Sequence, residues 1–271
     1  MAPPTITGLR GTGQLSTVTL DWTPVPWATV VDHYAVYVAS GSTWTLAGKT
    51  VYPRFVHRKL GFTAVTRSYR VVAVDAAGNS SAPSRTVAVA NKTSVTVSGR
   101  PIARVGYYDG KGEFALTPNR SADYLATFPN DVDYTYGVSV RDRDWCYLQP
   151  GPSDKWAGSK NHRVRFRFNL AARPTTDLDL ALWLIDSHAS LAGSALLSVN
   201  GTQLERIAFA NGATKGSTLN DSTLPGSPLK PSYIERPLPR RLFKVGQNFV
   251  DLYKDTGSWI AFDAFGIYAR S

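Results

Sequence analysis

Cysteine and methionine each occur once in 271 residues, and histidine only four times. A single cysteine excludes an internal disulfide and any zinc site built on several thiolates. Cys146, between Trp145 and Tyr147, reads as a buried thiol. No apolar run reaches the length of a membrane-spanning helix, and no secretory leader is legible at the amino terminus. Sustained helical periodicity is missing too, since apolar residues nowhere keep a three- and four-residue spacing. Positive charge dominates without clustering. Thirty Lys and Arg against twenty Asp and Glu leave a formal charge of +10, yet no run of five basic residues occurs. A nucleic-acid reader needs a recognisable module or a concentrated basic stripe, and neither is present. The expected partner is therefore an acidic polymer or surface, with no nucleic acid and no membrane.

What is abundant is turn and strand chemistry. Gly 22, Pro 17, Tyr 13 and Trp 7 accompany short Val- and Thr-rich runs. Short strands joined by turns predict an all-β chain. Ala2-Pro3-Pro4 reads as a domain-opening sequence, so the chain reads as a piece of something longer. Through residue 97 the expected strands are Val18–Trp22, Tyr34–Tyr37, Trp44–Leu46, Tyr69–Asp75 and Arg85–Ala90. An early-strand Trp and a Tyr opening a late strand at a corner are parts of an immunoglobulin-like sandwich. Leu20–Trp22, Tyr34–Tyr37 and the YRVVAVDAAGNSS motif at Tyr69–Ser81 resemble a fibronectin type III domain, with Tyr52–Arg67 fitting less well. The resemblance implies a spacer domain over residues 1–97. Trp27 and Trp44 are either exposed sugar platforms or packing residues.

Residues 98–271 carry eight further candidate strands: 102–107, 134–140, 163–169, 178–185, 195–199, 204–209, 248–253 and 259–269. Asn200-Gly201 is a two-residue hairpin signal and Asp109-Gly110 a tight turn. Strands without intervening helices predict an antiparallel sandwich or jelly roll. Asp109-Gly110, Tyr147–Pro150, Trp156, Phe166–Phe168, Leu197–Gly201, Val245–Asn248 and Phe262–Tyr268 fall in an order that resembles the carbohydrate-binding-module-like C-terminal domain of family 4 polysaccharide lyases, the rhamnogalacturonan lyases. That resemblance implies a galactose-binding-like jelly roll after the fibronectin-like domain. It also implies a secreted, extracellular setting and a ligand among acidic plant cell-wall polysaccharides, rhamnogalacturonan or pectin. The family's catalytic domain has no counterpart here, so the expected function is non-catalytic carbohydrate binding by a monomer. Two alternatives stand beside it: a lyase activity of this chain or its parent, and a purely structural pair of domains bracing a catalytic one.

The densest segment is Arg141–Trp156, with aromatics and cations on one loop. Sugar recognition needs an aromatic face for the apolar side of a pyranose, and polar or cationic groups for hydroxyls and carboxylates. Arg141, Arg143, Trp145, Tyr147, Lys155 and Trp156 meet that description. Asn220, Tyr233 and Arg236 join them from a long polar loop, Asn211–Pro239. Tyr147 and one of the loop tryptophans have a core reading beside the binding one, Trp183 and Trp259 on strands read as core, and Arg236 has a bracing role open to it through Glu235 or a backbone carbonyl. A lyase base could be sought at His162 or His188, whose plainer reading is a hydrogen-bonded or solvated histidine. No G-x-S-x-G elbow, paired-histidine motif or EF-hand loop is present. No catalytic residue and no cofactor are expected, a structural calcium ion held by Asp and backbone oxygens being the one possibility.

Overall fold

A computed structural model describes residues 2–25, 31–216 and 219–270, and the chain divides into two compact units, Met1–Val97 and Ser98–Ser271. The chain is all-β, with only single turns of helix between its strands.

In the first unit β1 (Arg10–Gln14), β2 (Thr17–Asp21) and β5 (Arg54–His57) form one sheet in the order β1-β2-β5. The other, β4-β3-β6-β7, is made by β3 (His33–Ser40), β4 (Thr43–Thr50), β6 (Thr66–Val74) and β7 (Val87–Ala90). Residues at every second position turn inward, as the pleat requires. Val18, Leu20 and Trp22 face Tyr34, Val36, Tyr69, Val71 and Ala73, all buried in one core. Trp22 meets Tyr34 edge-on at 5.2 Å, and the Tyr34 hydroxyl accepts the Val25 N–H at 3.1 Å. The Tyr69 hydroxyl is likewise partnered, bonding His57 Nδ1 at 3.0 Å, as burial of a polar group favours.

The second unit is a sandwich of two five-stranded sheets. The first contains β8 (Arg100–Gly106), β10 (Leu148–Gln149), β12 (Leu178–Ser187), β15 (Ser232–Leu238) and β17 (Ile260–Ala269). Its order is β10-β17-β12-β15, with β8 also pairing β17. The second runs β14-β13-β16-β11-β9, from β9 (Val132–Thr135), β11 (His162–Leu170), β13 (Ser194–Val199), β14 (Thr202–Ala208) and β16 (Gly246–Thr256). The β13–β14 hairpin turns at Asn200 (φ 49°) and Gly201 (φ 85°), the left-handed pair that an Asn-Gly turn supplies. Leu178, Leu180, Leu182 and Leu184 of β12 point into the core with Phe262, Phe265 and Ile267 of β17. Opposite them stand Val164, Phe166 and Phe168 of β11 and Val250 and Leu252 of β16.

Two sequence expectations need correction here. The loop proposed for Asn211–Pro239 ends at Pro231, because Ser232–Leu238 is strand β15, paired antiparallel along β12. Its mixed sequence, SYIERPL, lacks an apolar alternation, and only the pairing makes it a strand. The strand expected over 134–140 stops at Thr135. The chain then turns through Gly137 (φ 80°), where a side chain would be strained.

Candidate functional site

The Arg141–Trp156 segment does not form a sugar platform. Trp145 is 0% exposed and Tyr147 1% exposed, so neither ring has a face to offer. Trp145 lies among Phe262 (5.2 Å), Phe265 (5.4 Å), Tyr134 (5.6 Å) and Phe166 (5.9 Å), in the middle of the core. Main-chain bonds hold it there: Ala115 donates to the Trp145 carbonyl at 3.0 Å, Tyr147 to that of Ala115 at 3.2 Å, and Phe262 to that of Tyr147 at 2.9 Å. Cys146 is buried beside them, and burial pushes its thiol up to about 12. Trp156 is half-buried against the same core, edge-on to Tyr124 at 6.1 Å, while Lys155 beside it is exposed.

The other expected residues are dispersed. Arg143 is exposed and folds back on Asp144 in a two-pronged pair, at 2.7 and 2.8 Å. Asn220 pins its loop to the Gly110 turn, its amide donating to the Gly112 carbonyl at 3.2 Å. Tyr233 packs edge-on to Trp183 at 4.8 Å. Arg236 of β15 pairs with Glu205 of β14 at 3.3 Å, tying together the two sheets at one edge of the sandwich. Trp183 and Trp259 are buried, whereas Trp44 is half-buried with the Arg70 guanidinium 4.4 Å from its ring centre. Trp27 lies outside the described residues. His162 is fully buried, with Nδ1 2.7 Å from Asp131 and Nε2 2.9 Å from the Ala157 carbonyl, so neither nitrogen faces a substrate. His188 accepts the Ser190 N–H at 3.3 Å.

Arg141 alone among those residues reaches a cleft, at the sandwich edge opposite the Arg236–Glu205 pair. There β8 closes one sheet and β9 the other. The cleft is open, with a volume of about 400 Å³, and is lined by Arg104, Val105, Gly106, Tyr107, Tyr134, Tyr136, Val140, Arg141 and Asp142. Tyr107 is 53% and Tyr136 44% exposed, and Val138 and Val140 extend the apolar lip. The lip is held in shape: Tyr136 donates its N–H to the Arg167 carbonyl at 2.9 Å, and Ser139 Oγ accepts that of Thr135 at 2.9 Å.

Electrostatics divides the two arginines. Arg141 is committed, donating Nη1 to Glu113 at 2.6 Å and Nε to Asp142 at 2.5 Å while its guanidinium covers the Tyr107 ring at 4.8 Å. The hydrogen bond to Asp142 raises its already high pKa, so it is always a cation. Burial pushes the Glu113 carboxyl up, and Arg141 opposes that shift. Arg104 is exposed, and no carboxylate among the described residues pairs with it. The cleft therefore combines a fixed aromatic surface with a guanidinium, that of Arg104, which no carboxylate among the described residues neutralises. Both carboxylates near it are already engaged by Arg141, which suits binding better than proton transfer.

Tyr107, Tyr136 and Arg104 escaped the sequence reading for definable reasons. In the Tyr107-Tyr108 pair one ring faces solvent while the other covers Trp183 at 4.7 Å, and nothing local distinguishes them. A strand over 134–140 would set Tyr136 on the same face as Tyr134, but β9 ends at Thr135 and the turn that follows carries Tyr136 out. Among the described residues, no three His, Cys, Asp or Glu side chains gather as a metal site would need. Backbone oxygens do surround one cation, and it is the protein's own: Lys254 Nζ donates to the Ala192 and Thr256 carbonyls.

No family model matches the chain, and no curated protein matches it. Among solved structures it is similar to a fibronectin type III domain of human fibronectin type III domain containing protein 3, at 17% identity over 36% of this chain and 94% of that one, with a TM-score of 0.31. A Fn3-like protein from Clostridium thermocellum is 23% identical over 32% of this chain and 92% of its own, with a TM-score of 0.27. A beta-1,2-glucanase from Parabacteroides distasonis is 22% identical over 34% of this chain and 13% of its own, with a TM-score of 0.29. Scores of this size over a third of the chain fix neither ligand nor activity.

Proposed function

We propose that the second domain is a non-catalytic carbohydrate-binding domain whose site is the edge cleft. Its ligand is an acidic plant cell-wall polysaccharide of the rhamnogalacturonan or pectin type. The observation that carries the reading is the pair of exposed rings, Tyr107 and Tyr136, beside the unpaired Arg104. A pyranose presents an apolar face that stacks on a tyrosine, and a uronate presents a carboxylate that a free guanidinium takes in a fork. The formal charge of +10 favours an anionic polymer over a neutral one. In this reading the first domain is a spacer, and the chain is the carboxy-terminal part of a secreted polysaccharide lyase. It holds the lyase's catalytic domain near its substrate and so raises the effective concentration.

Affinity electrophoresis through gels carrying rhamnogalacturonan, polygalacturonate or a neutral glucan tests this. The pectic gels should retard the chain at moderate salt, and Tyr107→Ala should weaken that retardation about tenfold with the fold intact. Equal mobility in every gel sinks the proposal and leaves two bracing domains.

A further inference from the structure

The outer face of the sheet that ends in β9 shows an unexplained cation. β11 turns Val164, Phe166 and Phe168 inward and Arg163, Arg165 and Arg167 outward. Most arginines on this face are committed to carboxylates in two-pronged pairs. Arg165 holds Asp251 at 2.7 Å through each nitrogen, Arg167 holds Asp133 at 2.6 and 2.7 Å, and Arg206 holds Asp255 at 2.6 and 2.8 Å. Arg163 differs. Its Nε is buried without an acceptor, and no acceptor among the described residues takes any of its guanidinium N–H groups.

The register puts this cation beside an aromatic ring. Arg163 of β11 pairs with Tyr253 of β16, Tyr253 with Leu196 of β13, and Leu196 with Arg206 of β14. The four make a row straight across the sheet, with about 5 Å between neighbouring strands. Tyr253 is 38% exposed, and Asn161 Nδ2 ties its hydroxyl at 3.0 Å, so the ring is held rather than free to swing. The acids two residues either way along β16 are already held, Asp251 by Arg165 and Asp255 by Arg206, and Asp131 is engaged by His162 and by the Arg163 main-chain N–H.

We infer that this row is a second glycan site, in which a uronate-containing chain lays a sugar on Tyr253 and Leu196 and its carboxylate meets Arg163. The ligand class rests on the carbohydrate reading above, but the site does not, for none of its residues lines the edge cleft. A nucleic acid is the poorer occupant, because it needs a stripe of free cations, and Arg165, Arg167 and Arg206 beside Arg163 are already paired with carboxylates. One acidic chain long enough to reach both sites would bind more tightly than either site alone provides.

Polygalacturonate and its fully methyl-esterified counterpart, in affinity gels at 150 mM salt with the full chain, separate the two sites. An Arg104→Gln/Tyr107→Ala variant disables the cleft alone. It should keep part of its retardation by polygalacturonate and none by the ester, and adding Arg163→Gln should lower what remains about tenfold. Arg163→Lys, which keeps the charge without the fork and guards against a folding artefact, should lie between them. Loss of all retardation in the cleft variant overturns the second site, as does an unchanged mobility on Arg163→Gln. Equal Arg163-dependent retardation by a single-stranded oligonucleotide also overturns it. If Arg163→Gln weakens binding and the cleft substitutions do not, the row stands and the cleft falls.

Discussion

Asp263 shows how a single buried charge is tolerated in this fold. It sits on β17 facing away from the main core and is 2% exposed. The Gly110 N–H donates to its carboxylate at 2.9 Å, with the Asp109 and Lys111 N–H groups also directed at it. Burial outweighs these donors and pushes its pKa from 3.8 up to about 7. The folded protein therefore holds a proton between about pH 4 and 7 that the unfolded chain has released. Stability from this group is fully present below the unfolded value and is lost as pH rises through 7. At about 1.4 kcal/mol per pKa unit the loss is at most roughly 4 kcal/mol. Asp263→Asn keeps an acceptor for the turn without the ionisation. Urea unfolding of both proteins should show wild type losing ground to the variant from pH 4 to 8. A difference that stays flat over that range would mean that the turn's N–H groups keep Asp263 ionised throughout.

At the scale of elements, the segment that looked most like a binding loop is the part that closes the core. Arg141–Trp156 has the composition of a recognition loop, but composition does not say which way a ring points. Trp145→Ala should cost about 3–5 kcal/mol, the range for removing a large buried aromatic. The fraction that remains folded should bind polysaccharide with unaltered affinity, as titration well below the midpoint temperature would show. A loss of affinity in the folded fraction would return Trp145 to the binding site. The same limit explains which strands were legible. Val18, Leu20 and Trp22, or the four leucines of β12, alternate cleanly and declare both strand and inward face. β1 has the sequence RGTGQ and no apolar face to read; its glycines are needed because a Cβ on Gly13 would collide with the Ala90 carbonyl oxygen. β15 is likewise a strand by virtue of its partner. The cleft was hidden for the same reason, since its walls come from two strands distant in sequence that meet only when the sheets pack.

Taken whole, the molecule carries an excess of positive charge that the expectation of an acidic ligand drew upon, and that excess needs weighing against what is free to bind. Many arginines are already spent on carboxylates: Arg54 on Asp21, Arg120 on Asp123, Arg270 on Asp179, and the pairs on the outer sheet face. Exposed pairs of this kind add little stability, but they withdraw their own guanidiniums from any ligand. Arg104 and Arg163 are the two unpaired ones at the proposed surfaces. Specific binding through those two should release few counterions, so affinity for polygalacturonate should fall with a log–log salt slope near about −2, at up to about 0.9 per charge neutralised. Diffuse attraction between a polyanion and a +10 protein engages many more charges and gives a much steeper slope. Calorimetric titration between 50 and 300 mM salt distinguishes them. A shallow slope that moves towards about −1 on Arg163→Gln assigns affinity to these contacts, whereas a steep slope that ignores the substitution assigns it to net charge alone.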